Sequence, residues 1–324
     1  GSQYRYSNSG FDILGIVISR VSGVPFADYV QSEVFQPANM SHTTYKKPHD
    51  KLPSNWAAAY SYGLETQEWS PYPYNEKLYP SSGVLTTLSD MCTWTQLNLG
   101  KGVYGGDTVL QEKYFNLLVE PHYDTPWGDK IGLSWFLQSY LEQPIMMHQG
   151  QDTGFESIVY LYPNQGISIV VMANRDFSRT GRIVNAVSEI VFGQDPKPYT
   201  VSAKYKFTEA YKKHGIEAAK ATWLELKEDT TDQYNADDED ILTTGAILEN
   251  GEKWADAQEI LDFYITLDAY STYAWRLLGN CNLNLGDTTT ALANYTTCLD
   301  INPDYEKAKI AIRNLKTKAN NSSE

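Results

Sequence analysis

The chain of 324 residues has room for two domains of ordinary size, and its hydrophobic content of 42% allows sizeable cores. Its 40 acidic and 26 basic residues give a net charge of −14. A surface this acidic repels phosphate backbones, which argues against a nucleic-acid partner. The longest apolar run, residues 167 to 173, has the length of a strand, so no membrane span is expected.

The three cysteines form neither a metal-binding pattern nor an even disulfide set. Cys92, Cys281 and Cys298 are expected to be small buried apolar residues. A bridge between Cys281 and Cys298 is conceivable, because they fall on adjacent predicted helices, but it is not favoured. No metal or other cofactor is expected.

The first chemically informative stretch is Tyr6-Ser7-Asn8, directly before an apolar run of helical spacing over residues 10 to 21. A tyrosine hydroxyl and an asparagine amide two residues apart can both point into one cleft. The phenol can accept a proton if nearby cations lower its pKa, and the amide can hold a substrate carbonyl or amide group. The alternative is a buried tyrosine with an asparagine helix cap.

Further along, four apolar or alternating runs separated by turn residues predict strands at residues 131–140, 145–148, 155–162 and 167–173. The turn residues at 163–166 are a hairpin signal. An antiparallel meander is therefore predicted, carrying His148-Gln149-Gly150 on one strand and closed by a helix over 182–192. His148 could be a hydrogen-bonded core histidine, but Gly150 leaves room for a substrate backbone and favours a position facing the cleft.

Additional helices are predicted over residues 25–35, 112–119 and from a capping box at Thr87 to Asp90 as far as Gly100. Residues 45–80 are rich in Pro, Tyr and Asn and lack clean periodicity. They predict a long loop that could form the wall of a pocket.

Three landmarks stand in order: Tyr6-Ser7-Asn8, a glycine turn at Ser81-Ser82-Gly83, and His148-Gln149-Gly150. Over residues 1–195 this order resembles the penicillin-recognising serine hydrolases, the group of class C β-lactamases, penicillin-binding proteins, D-amino peptidases and related esterases. The resemblance implies an α+β fold in which an antiparallel sheet is flanked by helices, here as part of a β-lactamase/transpeptidase-like domain.

The resemblance also implies roles for individual residues. Tyr6 would take the proton of the nucleophile, and Asn8 would orient the substrate. His148, the histidine variant of the third motif, would donate a hydrogen bond or a proton beside the substrate. These three are the predicted catalytic residues.

Predicted substrate-binding residues flank the catalytic ones. Ser7 resembles the family's middle serine and would support proton shuttling. Gly150 would allow close approach of a substrate, and the backbone N–H of Gln151 would be one oxyanion donor.

The family's nucleophile motif, Ser-x-x-Lys, occurs nowhere in these 324 residues. The nearest match, Thr44-Tyr45-Lys46-Lys47, falls in a predicted surface loop. Because the motif lies upstream of the tyrosine motif in the family, we expect the C-terminal portion of a serine hydrolase, inactive as given. Gly1-Ser2 fits either a tag remnant or a turn entering the tyrosine motif.

The histidine variant makes peptidase, amidase or esterase activity more probable than β-lactamase activity. The expected substrate is a small molecule or peptide with an ester or amide bond. The family resemblance favours a periplasmic or extracellular location, although no signal peptide is present in these residues.

After a predicted linker at 196–202, helical patterns dominate residues 203–324. Gly245 and Gly279 are 34 residues apart (279 − 245), as are Ala257 and Ala291 (291 − 257). This period predicts an all-α, tetratricopeptide-like repeat domain. The eight acids within residues 225–240 are expected to form a solvated linker or loop. The competing hypothesis for the whole chain is a non-catalytic protein that binds a partner through these repeats.

Overall fold

The computed structural model describes residues 4–47, 55–69, 75–126, 128–198, 200–231 and 233–321. It divides into two compact units. The first comprises Gly1–Tyr60 and Glu68–Lys197, and the second comprises Ser61–Gln67 and Pro198–Glu324.

The first unit is built from helices around one main sheet. Its helices are α1 (Asn8–Ser22), α2 (Phe26–Val30), α3 (Leu88–Leu99), α4 (Glu112–Val119) and α5 (Thr180–Val191), with a π-helical turn at Gln31–Phe35 and a 3₁₀ turn at Glu76–Leu78. The strands β1 (Tyr60–Tyr62) and β2 (Thr66–Glu68) form a hairpin whose residues Ser61–Gln67 belong to the second unit. The other strands of the first unit are β3 (Val103–Tyr104), β4 (Asp107–Thr108), β5 (Tyr123–Asp124), β6 (Lys130–Ile131), β7 (Phe136–Tyr140), β8 (Gln143–Asp152), β9 (Phe155–Tyr162) and β10 (Ile167–Ala173).

The main sheet is an antiparallel meander of six strands in the order β10-β9-β8-β7-β6-β5. The predicted antiparallel sheet flanked by helices is therefore confirmed, and the turn at 163–166 joins β9 to β10 as predicted. Along β8, side chains alternate between the two faces. Met147 packs with Val184 of α5, whereas Met146 packs in a second core that contains Phe115 of α4.

Two local predictions differ from the structure. The predicted long loop of residues 45–80 contains the β1–β2 hairpin, and its residues 48–54 and 70–74 lie outside the described part of the chain. Thr87 does cap α3, accepting the Asp90 N–H at 3.2 Å, but Asp90 does not close a capping box. The Asp90 carboxylate is buried, and it accepts the His42 N–H at 2.8 Å and the Thr43 hydroxyl at 2.7 Å. The Asp90 carboxylate is thus occupied by two donors that are distant in sequence, and it does not accept a backbone N–H at the start of its own helix.

The second unit consists mainly of helices. They are α6 (Lys204–His214), α7 (Ile216–Glu228), α8 (Glu239–Asn250), α9 (Trp254–Leu267), α10 (Thr272–Asn284), α11 (Thr288–Ile301) and α12 (Glu306–Asn321). A short parallel pair, β11 (Val201–Ser202) with β12 (Tyr234–Asn235), joins them, so part of the predicted linker at 196–202 is a strand.

Two carboxylates of the acidic run at residues 225–240 make internal hydrogen bonds instead of lying in a solvated loop. Trp223, fully buried at the centre of the helical core, donates its indole N–H to Asp238 at 3.1 Å. The other oxygen of Asp238 accepts from Lys227 at 2.6 Å, and Asp240 is buried and accepts the Ser202 hydroxyl. Asp238 thus satisfies the buried indole N–H of Trp223, a role that charge counting along the sequence could not reveal.

Close helix packing occurs at both repeat-spaced glycines. A Cβ added at Gly245 would lie 2.6 Å from Leu261 Cγ, and one at Gly279 would lie 2.3 Å from Tyr295 Cε1. Both partners are fully or almost fully buried. The glycines are therefore required by the approach of α8 to α9 and of α10 to α11, while the tetratricopeptide assignment itself stays a prediction.

The tip of the β1–β2 hairpin is part of the second unit's packing. The Tyr62 hydroxyl lies 2.9 Å from the hydroxyl of Thr208 on α6, and Leu64 packs against the helical core. A Cβ added at Gly63 would lie 3.2 Å from Ile247 Cγ2. The helical core is thus completed by seven residues that are distant in sequence.

Among the described residues, no single helix has the length and apolar character needed to cross a membrane. The segments Asn8–Ser22 and Phe26–Phe35 reach that length and composition only together, with a bend of 79° between them.

Cys281 and Cys298 are buried and unbridged, and Cys92 is exposed, contrary to the expectation that it would be buried.

Candidate active site

The tyrosine motif lies at the start of α1. Ser7 has extended backbone angles and is the N-cap of the helix, its hydroxyl accepting the Gly10 N–H at 3.1 Å. Asn8 is the first helical residue, so the cap is Ser7 rather than the asparagine. All three side chains are exposed, Tyr6 to 58%, which leaves the phenol and the amide accessible to a ligand.

His148 lies on β8, where it is half-buried and opposite Val159 of β9. Its ring centroid lies 5.5 Å from that of Phe136 on the neighbouring strand. Burial lowers the pKa of His148, and a hydrogen bond with the Gln149 backbone opposes this shift less strongly. The imidazole is therefore neutral at pH 7, able to donate from one nitrogen and accept at the other.

His148 also lines a largely apolar cavity of about 430 Å³ in the first unit. The other lining residues come from the π-helical turn, α3, α4, β9 and the loops between them: Val34, Trp94, Leu97, Asn98, Gly102, Val109, Leu110, Phe115, Leu118, Leu133, Ser134, Trp135 and Val159. The Asn98 amide is already used, since it donates to the Trp94 carbonyl at 2.8 Å. Among the described lining residues, His148 is the only titratable group facing this cavity.

Gly150 and Gln151 follow on the exposed end of β8, opposite Ser157 and Glu156 of β9. A Cβ added at Gly150 would meet only the Ser157 hydroxyl, at an ordinary contact distance of 3.5 Å. The protein around it therefore does not require a glycine here. The absence of a side chain leaves this end of the strand open to a ligand backbone.

The structure does not join the two motifs by direct contact. Among the described residues, no hydrogen bond or ring contact links Tyr6, Ser7 or Asn8 to residues 148–151. Tyr4 stacks on Tyr123 of the edge strand β5, at 6.5 Å between ring centroids. Three strand spacings separate β5 from β8, or ~14 Å.

An acidic residue that sequence reasoning missed holds the turn after β8. Asp176 accepts the Gly154 N–H at 2.7 Å and the indole N–H of Trp69 at 3.3 Å. Burial raises the pKa of Asp176, and these two donors oppose the shift. A glycine is required at position 154, because the backbone there has φ +71° and an added Cβ would lie 2.6 Å from Ala59 Cβ.

Glu156 caps α5 from the neighbouring strand. Its carboxylate accepts the N–H groups of Arg179 and Thr180, at 3.1 and 2.9 Å, and the Thr180 hydroxyl at 2.7 Å. Arg179 occupies the N-cap position in a left-handed conformation and supplies no side-chain cap. An acidic residue in a strand gives no sequence signal for this role.

Replacing Glu156 by alanine is therefore expected to lower the free energy of unfolding of the first unit by about 2 kcal/mol, because two N–H groups and one hydroxyl lose their acceptor. Chemical denaturation followed by circular dichroism measures this. The exposed Glu68 of β2 is the matched control, and Glu68→Ala is expected to change stability by no more than about 0.5 kcal/mol. Equal effects of the two substitutions would show that Glu156 does not hold α5.

The described residues contain no group of three or more His, Cys, Asp or Glu side chains able to hold a metal ion.

Thr44, from the nearest match to a nucleophile motif, forms a β-bridge with Leu85, and its hydroxyl accepts the Lys46 N–H at 3.0 Å. Lys46 pairs with Asp28. A threonine engaged in this way does not resemble a nucleophile paired with a lysine on one helix face.

Comparison with known proteins gives consistent results over the first unit. Residues 1–190 match the family model described as Beta-lactamase. "Protein flp" from Staphylococcus aureus (strain N315) is 25% identical over 190 residues, which cover 57% of this chain and 36% of that protein. The "Beta-lactamase" of Escherichia coli (strain K12) is 26% identical over 215 residues, covering 56% of this chain and 55% of that protein. The octameric penicillin-binding protein homologue from Pyrococcus abyssi has a TM-score of 0.55 at 18% identity, over 66% of this chain and 48% of that one.

The antiparallel sheet and its flanking helices thus have a fold similar to that of the penicillin-binding protein homologue. Because the family model matches more than half of its residues, the chain belongs to the Beta-lactamase family. It spans 36% of the length of Protein flp and 55% of the length of the Escherichia coli relative.

Proposed function

We propose that the protein is a serine hydrolase of the β-lactamase-related group that acts through an acyl-enzyme on an ester or amide bond. The observation that carries this proposal is the pairing, within a Beta-lactamase family domain, of an exposed Tyr6-x-Asn8 helix start with a His148-x-Gly150 strand. The substrate is a small molecule or a peptide. Peptidase, amidase or esterase activity is favoured over β-lactam hydrolysis by the histidine at position 148.

In this proposal Tyr6 removes the proton from the attacking serine, and Asn8 orients the substrate carbonyl. A phenol serves as a base at neutral pH only when a cation beside it lowers its pKa. Neutral His148 donates a hydrogen bond to the substrate or its leaving group, and the N–H of Gln151 polarises the carbonyl under attack. Ser7, which caps α1, fixes the backbone between the base and the amide.

The serine and its cation are proposed to lie on a segment that these 324 residues do not include, since they contain no Ser-x-x-Lys. The exposed apolar surface of α1 supports this. Ile13, Leu14, Ile16 and Val21 are each more than half exposed on this one helix. Contiguous apolar surface of this kind is ordinarily covered by further protein. Residues 1–324 alone are therefore proposed to lack turnover.

The test compares residues 1–324 with a form extended upstream of Gly1 by a segment that contains Ser-x-x-Lys. Both are incubated with a fluorophosphonate serine probe and with an activated ester. The extended form is expected to be labelled stoichiometrically at the serine of that motif and to hydrolyse the ester, and the shorter form to do neither. Near-stoichiometric labelling of the shorter form within residues 1–195 would overturn the missing-nucleophile proposal. An extended form that is folded but neither labelled nor active would overturn the hydrolase itself.

A second function is favoured by the helical unit. Gly245 against Leu261 and Gly279 against Tyr295 repeat the same close packing at a spacing of 34 residues (279 − 245). This supports a tetratricopeptide-like module that binds a protein partner. The two functions are compatible in one protein, and the binding role would stand alone if the extended form proved inactive.

A further inference from the structure

The last residues of β8 extend beyond the strands around them. The pairs between β7 and β8 end at Met147, whereas the pairs between β8 and β9 continue to Asp152 and Phe155. On the other side, β10 ends at Ala173, opposite Glu156 of β9. The turn that joins β8 to β9 therefore projects past both neighbouring strands. A hairpin without further partners is only marginally stable, so the position of this turn depends on contacts other than the sheet.

The open edge of β8 presents the backbone of Gln151. Asp152 and Phe155 are the ends of a hydrogen-bonded turn. Because hydrogen-bonded and non-hydrogen-bonded pairs alternate along an antiparallel ladder, Gln151 and Glu156 form a non-hydrogen-bonded pair. The N–H of Gln151 consequently points away from β9, toward the edge that β7 leaves open. Its direction depends on the turn, which begins at the next residue.

One carboxylate attaches this turn to the rest of the first unit. Asp176 follows β10, and its Oδ1 accepts the Gly154 N–H at 2.7 Å. Gly154 also lies close to the chain before β1, where an added Cβ would be 2.6 Å from Ala59 Cβ and 2.7 Å from the Tyr60 nitrogen. The turn is thus held between the segment that follows β10 and the segment that precedes β1.

Asp176 is itself fixed at two further points. Its N–H donates to the Tyr60 carbonyl at 2.9 Å, and its Oδ2 accepts the indole N–H of Trp69 at 3.3 Å. The side chain is half-buried, and both of its oxygens accept from neutral donors. An asparagine has one acceptor oxygen and would turn its NH₂ group toward either Gly154 or Trp69. It therefore cannot satisfy both N–H groups.

We propose that Asp176 is a positioning residue of the hydrolase, holding the β8–β9 turn so that the Gln151 N–H faces the substrate oxygen. This role rests on the hydrolase function proposed above and deepens it. During acyl transfer the serine oxygen bonds to the carbonyl carbon, the π-electron pair moves onto the carbonyl oxygen, and Tyr6 takes the serine proton. The Gln151 N–H donates to that negative oxygen, and such a donor is effective when its position is fixed beforehand. Asp176 acts through Gly154 and does not touch the substrate.

The first experiment measures the kinetics of the upstream-extended form with an activated ester. Asp176→Asn is expected to lower kcat about tenfold and to change KM by less than about twofold, because a displaced oxyanion donor weakens only the transition state. Trp69→Phe, which leaves the Gly154 bond in place, is expected to stay within about twofold of wild type. In the double variant the asparagine NH₂ no longer opposes the indole, so its oxygen accepts from Gly154. Its kcat is expected to return to within about threefold of wild type.

An ester and its thiono analogue give a readout that a loss of stability does not move. Sulfur accepts hydrogen bonds weakly, so a well-placed donor makes the enzyme prefer the ester. Asp176→Asn is expected to reduce this preference, and the double variant to restore it. The matched control is Asp107→Asn, which changes an exposed aspartate of β4 and should alter neither kcat nor the preference. Variants are compared under conditions in which their urea unfolding curves show the native state.

Hydrogen exchange tests the turn without catalysis. Deuterium uptake by the peptide that spans residues 149–155 is measured by mass spectrometry in residues 1–324. Asp176→Asn is expected to raise the uptake, because the Gly154 N–H loses its acceptor and the turn opens more often. Asp107→Asn should leave it unchanged. Equal uptake by Asp176→Asn and wild type would overturn the proposal, whatever the kinetics.

The possible outcomes separate the role of Asp176 from the hydrolase function itself. An extended wild type that is folded but inactive would overturn both. An active wild type whose Asp176→Asn variant keeps its kcat and its ester preference would overturn the positioning role alone. A fall in kcat that the double variant does not restore, at an unchanged ester preference, would show that Asp176 only supports the fold, and would also overturn that role.

Discussion

Replacing Tyr6 by phenylalanine in the upstream-extended form is expected to lower kcat/KM for an activated ester about a hundredfold, or about 2.7 kcal/mol of transition-state stabilisation. The substitution removes only the hydroxyl that is proposed to take the proton of the serine. Since Tyr6 is 58% exposed and has no core contact to lose, the fold should be unaffected. Steady-state kinetics measures the effect, and the rate of fluorophosphonate labelling should fall in parallel.

The matched control is Tyr114→Phe, which removes a hydroxyl from another exposed tyrosine of the same unit, on α4. It is expected to leave kcat/KM unchanged. Unfolding curves of both variants should overlay that of wild type. Full turnover by the Tyr6 variant would mean that this tyrosine is not the base.

The largest stability effect is expected at Gly279. In an exposed helix, Gly→Ala stabilises by up to about 1 kcal/mol. Here the added Cβ would lie 2.3 Å from Tyr295 Cε1, and the ring is buried and anchored through its hydroxyl to Asn280. Gly279→Ala is therefore expected to destabilise the helical unit by about 2 kcal/mol or more, reversing the usual sign. Urea denaturation followed by helical circular dichroism measures it.

Gly251→Ala is the control for Gly279→Ala. Gly251 is the C-cap of α8 at φ −83°, and an added Cβ there would lie 3.3 Å from the Ile247 carbonyl oxygen, against 2.3 Å from the Tyr295 ring at Gly279, so a much smaller effect is expected. A second variant tests the cause. In a Tyr295→Leu background, which opens space beside the glycine, the cost of Gly279→Ala should fall substantially. Independent, additive effects would contradict direct contact as the reason for the glycine.

The meander could be predicted from the sequence because its strands carry strong local signals. Residues 155–162 and 167–173 alternate or run apolar around a turn at 163–166, and the structure has strands over the same ranges. The strand β5 could not be predicted, and the strand predicted at residues 131–140 is divided in the structure into β6 and β7. β5 and β6 have two residues each and owe their conformation to pairing, β5 with β6 and β6 with β7, rather than to their own composition.

For the candidate site, spacing along the chain indicated residue types but not their partners. Tyr6-x-Asn8 and His148-x-Gly150 could be recognised from the sequence alone. The carboxylates that support the second motif could not, since Asp176 binds the Gly154 N–H from 22 positions away and Glu156 reaches the start of α5. Such contacts depend on which strands become neighbours, and that is decided by the whole sheet.

The seven-residue hairpin tip in the helical unit has a consequence for how the chain folds during synthesis. Residues 61–67 leave the ribosome long before their helical partners, and 131 positions (198 − 67) separate them from the rest of their unit. Helical arrays normally fold fast through local contacts. Closing a flexible loop of this length would cost ~4 kcal/mol in chain entropy. If residues 68–197 fold first, the flexible part of that loop becomes shorter and the entropy cost falls. The first unit is therefore expected to fold before the helical unit, which reaches full stability only afterwards.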